Sequence, residues 1–330
     1  MQATATTPRV VLPPWGMGTS QFGNLSRART DDACAAAFGQ AWTSGIRYFD
    51  TAPHYGLGLS ERRLGRSLAG LPRDEYVVST KVGRLLVPNP HGAGHVDDEG
   101  FVVPADQRRV WDFSRDGILR SLDASLIRLG LDRVDIVYLH DPDDFWDEAS
   151  TTGVETLIGL RDQGVVRAIG VGMNQSAMLA RFARETDIDL VMVAGRYTLL
   201  DQSAADELLD AARENQVGVV AAAVYNSGVL SGARPTSDAR FDYAAAPDNV
   251  LARAARIADV CERFGVSLPE AATQFAGRHP AVVSTVLGLG SAEHVRDAVE
   301  RAAARIPDDL WTALSEAGLV PSTFTEKSTT

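Results

Sequence analysis

A chain of 330 residues with 45% apolar side chains can bury a full hydrophobic core, and its net charge of −11 argues against a surface for nucleic-acid phosphates. No apolar run approaches a membrane span, no basic-then-apolar leader opens the chain, and Cys34 and Cys261 stand in no metal-ligand spacing. The expectation is a cytoplasmic protein that acts on a small molecule, as a monomer or small homo-oligomer, without nucleic-acid or membrane partners.

In chain order, Val10 to Leu12 predicts a small strand or hairpin ended by Pro13-Pro14. Trp15-Gly-Met-Gly-Thr-Ser is a short strand running into a glycine-bearing loop. Asp31 reads as the N-cap of an alanine-rich helix reaching about Ser44, with Gly45 just past its end. Ile46 to Phe49 is a buried strand that breaks at Pro53 and Gly56, and a helix runs from Ser60 to Leu68. Glu75 to Thr80 is a strand, and the proline- and glycine-rich stretch from Gly83 to Asp112 reads as a long loop, functional or mobile.

From Ser114 a helix places residues 118, 119, 122, 126 and 129 on one apolar face and ends at Gly130. Strands follow at Val134 to Leu139, Val165 to Val171, Ile188 to Ala194 and Val217 to Val224. They alternate with helices at about 151–163, Gln175 to Glu185 and Ser203 to Asn215. After a second break at 226–248 come helices from Val250 to Phe264 and at about 268–277. A strand from Ala281 to Leu287 and helices from Ala292 to Ala304 and Pro307 to Ala317 complete the pattern, before a polar tail from about residue 320. Eight strands each followed by a helix, the strands too apolar to be covered on one side only, predict an α/β fold: a (β/α)8 TIM barrel. It forms a single domain over 1–330, with extra helices and long loops at its C-terminal rim. A doubly wound sheet would want a third glycine and an immediate helix after Gly16-Met-Gly-Thr-Ser.

On such a barrel Asp50, Lys81 and His140 close the second, third and fourth strands on one rim, with Tyr55 on the loop beside them. Of the 32 basic residues only Lys81 and Lys327 are lysine, so Lys81 marks a place where arginine will not serve. Asp50 and Lys81 can pair at the rim, and the ammonium would favour the Tyr55 phenolate. A tyrosine so tuned exchanges a proton with an alcohol or carbonyl oxygen, which His140 can orient. A metal site from Asp50, His54, His140, Asp141 and Asp143 is the competing arrangement. It has no ligand spacing behind it and would set Lys81 against the cation, so no metal is expected. Such proton chemistry implies a hydride-moving cofactor. Gly288, Gly290 and Ser291 after the eighth strand, and Tyr225-Asn-Ser-Gly after the seventh, offer a small-residue cradle for its phosphates and flat rings.

Gly45-Ile-Arg-Tyr-Phe-Asp-Thr-Ala-Pro-His-Tyr-Gly, Ser79-Thr-Lys-Val-Gly and Asp135-Ile-Val-Tyr-Leu-His resemble the signatures of the aldo-keto reductases. The resemblance spans nearly the whole chain and implies a (β/α)8 barrel using NAD(P)H, with Asp50, Tyr55, Lys81 and His140 as the catalytic tetrad. Lys81-Val-Gly-Arg-Leu-Leu, His140-Asp-Pro-Asp-Asp, Gly170-Val-Gly-Met-Asn and Ala194-Gly-Arg-Tyr-Thr-Leu-Leu-Asp-Gln are similar to the bacterial aldose 1-dehydrogenase branch. That branch includes L-fucose, D-threo-aldose and pyridoxal 4-dehydrogenases. A generic NADPH-dependent aldehyde reductase and a non-enzymatic auxiliary subunit are the other members to weigh.

The resemblance implies cofactor contacts at Gly18 and Thr19, at Asn174, at Tyr225, Asn226, Ser227, Gly228 and Leu230, and at Gly288, Gly290, Ser291 and His294. Where many members place Ser-Asn and Gln beside the carboxamide, this chain has Gly172-Met173 and Ala194, so Asn174 or Arg196 would substitute. Where many members grip the adenosine 2′-phosphate, it has Gly290, His294 and Ala298. The loss of a fixed cation there implies NAD, with NADP as the alternative. His54, Arg84, Trp111, Phe145 and Trp146 on the long rim loops are candidate substrate contacts, suited to a sugar or to a pyridine ring.

Overall fold

The structure, a computed structural model, describes residues 10–242 and 244–321. The sequence before Val10 and the tail from Ser322, with Lys327, lie outside them. In chain order the strands are β1 (Trp15–Gly18), β2 (Tyr48–Asp50), β3 (Val77–Val82), β4 (Arg84–Pro88), β5 (Gln107–Trp111), β6 (Ile136–His140) and β7 (Ala168–Met173). They continue with β8 (Leu190–Ala194), β9 (Gly218–Ala222), β10 (Arg240–Phe241), β11 (Ala244–Ala245) and β12 (Val282–Gly288). Eight of them close into a parallel barrel in the order β1-β12-β9-β8-β7-β6-β3-β2, with helices between. The chain is thus a (β/α)8 barrel, and the doubly wound alternative is excluded.

Several boundaries differ from the sequence expectation. Val10 to Leu12 forms no strand; Leu12 instead plugs the barrel interior. Thr30, not Asp31, caps the first long helix, its hydroxyl accepting the Ala33 amide at 3.2 Å. That helix, Asp31–Thr43, ends with Gly45 at φ +85°. The Gly45 amide donates to Trp42 and the Ile46 amide to Ala41, which commits Ile46 to the helix end and delays β2 to Tyr48. The stretch 83–112 is no structureless loop: β4 and β5 pair antiparallel, from Arg84 opposite Trp111 to Pro88 opposite Gln107. The helix expected at 151–163 begins with a π turn over Ala149–Gly153, and that expected from Ser203 starts at Leu208. The second break holds the small β10–β11 hairpin.

Alternation along the strands sorts side chains into barrel interior and helix-facing shell. Tyr48, Ile136, Tyr138, Leu190, Met192 and Val286 fill the interior, while Phe49, Val78, Val137, Leu139 and Val191 pack outward under the helices. The interior therefore carries two polar layers two residues apart. Tyr48, Ser79 and Tyr138 form the lower, with the Tyr48 hydroxyl 3.1 Å from Ser79 Oγ and 3.4 Å from the Tyr138 hydroxyl. Asp50, Lys81 and His140 form the upper. The tyrosine rings need room, and Gly16 leaves it: a Cβ there would stand 2.6 Å from Tyr48 Cδ1. Burial pushes both tyrosines above the ordinary phenol range, so they remain neutral hydrogen-bonding walls below the rim.

Candidate active site

The barrel register brings the strand-end residues together. Asp50 lies opposite Ser79 in the β2–β3 ladder, Lys81 opposite Tyr138 in β3–β6, and His140 opposite Gly172 in β6–β7. Lys81, 2% exposed, directs its ammonium to Asp50 Oδ2 at 2.7 Å, the Thr51 carbonyl at 3.0 Å and the Tyr55 hydroxyl at 3.1 Å. An ammonium has three protons, and each has an acceptor. Burial opposes the charge, but Asp50 and Tyr55 outweigh it and raise Lys81 above the ordinary lysine value. Ser79 Oγ donates to the other Asp50 oxygen at 2.7 Å.

Tyr55 is held by its own turn. Gly56 adopts φ +61°, and the turn packs so closely on the first loop that a Cβ on Gly23 would lie 2.5 Å from the Tyr55 carbonyl carbon. The Tyr55 ring stands 6.0 Å from that of His140 and edge-on to it. Burial, with Arg84 and Lys81 nearby, holds His140 well below the ordinary imidazole value, so the ring is neutral. Its Nδ1 is buried and has no partner among the described residues.

The β4–β5 hairpin and the loop it carries lean over this cluster. Arg84 reaches Asp141 at 2.5 Å and His54 Nδ1 at 3.3 Å, and Arg109 pairs with buried Asp97 while donating to the His54 carbonyl at 3.0 Å. Glu99 faces His54, Arg84 and Arg109 at 3.6, 3.7 and 3.5 Å. Burial among these cations pushes His54 down to about 2, so it too is neutral.

A cleft of about 810 Å³ runs from Tyr55 and Lys81, past Gly172, Asn174, Tyr225 and Gly288, to His294 and Arg301. Gly18, Asn226, Ser227 and Gly228 also line it, as do Asp50, His140, His54 and Arg84. A side pocket at the rim is lined by Trp111, Phe145, Arg84, Asn174 and the acids Asp141, Asp143 and Asp144. Such a volume with mixed apolar and polar walls suits a dinucleotide and a small substrate together. A Cβ on Gly172 would already touch Lys81 Cε at 3.7 Å, so that glycine keeps the floor beside the ammonium open.

Several expected contacts are elsewhere. Thr19 is fully buried, its amide and hydroxyl both donating to the Asp50 carbonyl, so it positions the strand end and faces away from the cleft. Leu230 belongs to the core, and the Ser291 hydroxyl caps a helix through the His294 amide. Trp146 packs on Phe182 beneath Arg181, clear of both pockets. Arg196 is bound to Asp242 at 2.8 and 2.9 Å and is not part of the cleft lining. Gly290 is covered: a Cβ there would collide with Gln21 and lie 2.6 Å from Arg29 Cζ.

Ser79, Glu99, Gln21 and Arg29 were not anticipated. Only Ser79 left a trace, two residues before Lys81 on the same strand face. Among the described residues no three ligand-type side chains converge as a metal would need, and no helix is long and apolar enough to cross a membrane.

Residues 14–318 match the Aldo/keto reductase family. The chain belongs to that family. It is an oxidoreductase that interconverts CH–OH and carbonyl groups with a nicotinamide cofactor. This aldo-keto reductase is 48% identical over 324 residues to a D-threo-aldose 1-dehydrogenase of Pseudomonas sp, covering 97% of this chain and 98% of the relative. It is 38% identical over 326 residues to a pyridoxal 4-dehydrogenase of Microbacterium luteolum, covering 92% and 94%. Among solved structures, the glycerol dehydrogenase from Gluconobacter oxydans superposes with a TM-score of 0.73 at 21% identity, covering 97% of this chain and 95% of that one, a likeness of fold.

Proposed function

We propose that this reductase is an aldose 1-dehydrogenase that oxidises the anomeric hydroxyl of a free sugar of the L-fucose or D-threo-aldose kind to the lactone. The observation that carries the chemistry is the Lys81 ammonium shared between Asp50 Oδ2 and the Tyr55 hydroxyl. The relative at 48% identity supports the substrate class.

In this reading Tyr55 takes the proton from the anomeric hydroxyl, and Lys81 stabilises the phenolate form that makes it a base. Asp50, fixed by Ser79 and by Thr19 at its carbonyl, keeps the ammonium charged and in place. The neutral His140 ring holds the reacting oxygen by hydrogen bonding and does not compete for the proton. A bound nicotinamide supplies the hydride acceptor for C1. In the opposite direction the same groups return the proton to a carbonyl oxygen. Glu99, His54 and Asp141 present donors and acceptors to further hydroxyls, and the Trp111 and Phe145 rings, parallel within 12° at 6.3 Å, offer an apolar face at the rim.

The same aromatic pair suits a pyridine ring, and the relative at 38% identity favours pyridoxal 4-dehydrogenase as the second reading. A panel of L-fucose, D-arabinose, L-galactose and pyridoxal, followed by reduced-cofactor absorbance at mildly alkaline pH, separates them. Turnover of the sugars supports the first reading and turnover of pyridoxal alone the second. Turnover only of simple aldehydes with NADPH would replace both with a general aldehyde reductase.

A further inference from the structure

The far end of the cleft holds a cation supplied from an unexpected part of the chain. Gly290, at the turn after β12, has no side chain, but its place is taken by Arg29 from the loop after β1. The Arg29 guanidinium donates through Nη2 to Gln21 Oε1, and Gln21 Nε2 donates in turn to the Gly288 carbonyl at 3.4 Å. Two residues 261 positions apart thus share one volume, and Arg29, Gln21, Gly288 and His294 all line the cleft that begins at Lys81.

The charge of Arg29 is uncompensated. Among the described residues no carboxylate stands within ion-pair distance of it, and its buried Nε has no hydrogen-bond partner. The neighbouring Arg301 differs, since Asp297 pairs with it at 3.3 Å. Burial and the adjacent Arg27 both press the Arg29 value downward, and His294 is lowered by burial and then by Arg29 and Arg27. Asp297 and Glu293 oppose that trend at His294 only weakly. A half-buried guanidinium that lines a cleft with no carboxylate beside it is poised for an anion.

We infer that Arg29 is a cofactor-specificity residue: its guanidinium holds the 2′-phosphate of NADP(H), so the chain accepts NADP+ as well as NAD+ although Gly290 carries no cation. This rests on the nicotinamide-dependent reading above. It reverses the expectation of NAD drawn from Gly290, His294 and Ala298, because the cation over Gly290 comes from the loop after β1 and not from the eighth βα loop. The two loops lie side by side only because β1 pairs with β12 in register, Gly18 opposite Gly288.

The test is equilibrium binding, by titration calorimetry, of NADP+, NAD+, 2′-AMP and 5′-AMP to the wild-type protein and to Arg29→Gln and Arg29→Lys. Circular dichroism and melting temperature would verify folding. Loss of one charge-assisted contact corresponds to a fall of about 10- to 100-fold in NADP+ affinity relative to NAD+ in R29Q, with partial recovery in R29K. Wild-type protein should bind 2′-AMP more tightly than 5′-AMP, a difference that weakens with salt and vanishes in R29Q. If NAD+ and NADP+ both bind and their ratio is unchanged in R29Q, the assignment of Arg29 is overturned while the nicotinamide reading stands. If neither dinucleotide binds the folded wild-type protein, both fall.

Discussion

Ser79 and Asp50 face each other across the β2–β3 ladder, and the serine hydroxyl donates to the one carboxylate oxygen that Lys81 leaves free. The carboxylate is thereby fixed from two sides, and Lys81 inherits its orientation. Ser79→Ala removes one buried donor. It should cost about 1 kcal/mol of stability, with a fall of kcat of about fivefold and little change in cofactor affinity. Urea denaturation and steady-state kinetics check both, and an unchanged kcat would show that Lys81 alone positions Asp50.

Tyr55→Phe keeps the ring and removes the proton carrier. A positioned acid–base group contributes about 10²- to 10⁴-fold, so kcat should fall by at least about 100-fold while the dissociation constant for the oxidised cofactor stays within about twofold. Stopped-flow turnover and fluorescence titration of the cofactor measure the two quantities. Turnover near the wild-type rate would remove Tyr55 from the mechanism.

Lys81→Met leaves the buried Asp50 carboxylate without its counter-charge, which should destabilise the protein by about 3–5 kcal/mol. Adding Asp50→Asn removes the stranded charge, so the double variant should recover part of the melting temperature and none of the activity. That split separates the structural use of the ion pair from the chemical one. A double variant as unstable as K81M would mean that packing, not charge, dominates.

Gly23→Ala tests the positioning of Tyr55 from outside the polar cluster. The new methyl meets the Tyr55 backbone at 2.5 Å, and relief requires the turn to move. We expect a loss of about 1–3 kcal/mol and a fall in kcat with the overall circular dichroism preserved. Gly39→Ala is the control, since nothing lies within 4 Å of a Cβ there.

His54 sets an acid limit to stability. Its folded value is depressed to about 2 from an ordinary 6.5, so the unfolded chain binds the extra proton between those values. Stability is full above about pH 6.5 and is lost as pH falls below it. The slope reaches about 1.4 kcal/mol per pH unit for this ring. The buried, neutral His140 acts in the same direction. Melting temperatures taken from pH 7 down to 5 should fall, and less steeply in His54→Asn. Parallel profiles for the two proteins would show that His54 is not the group being protonated.

The order of residues alone carries the eight βα units, the rim bearing Asp50, Tyr55, Lys81 and His140, and the family, because each rests on local information. Strand hydrophobicity, turn residues and a lysine kept among arginines are legible within a few positions of the residue concerned. It also placed Asn174, Tyr225, Gly288 and His294 near the cleft, since they sit at strand ends. What it could not show depends on pairing across the closed barrel. The β4–β5 hairpin hid in a stretch whose prolines and glycines imitate a loop, and its antiparallel register alone brings Arg109 and Glu99 to His54. Thr19 looked like a cofactor contact until the β1–β2 pairing turned it onto Asp50. The same closure set Arg29 over Gly290. Side-chain direction in a barrel is decided by register, and register is a property of strands far apart in the chain.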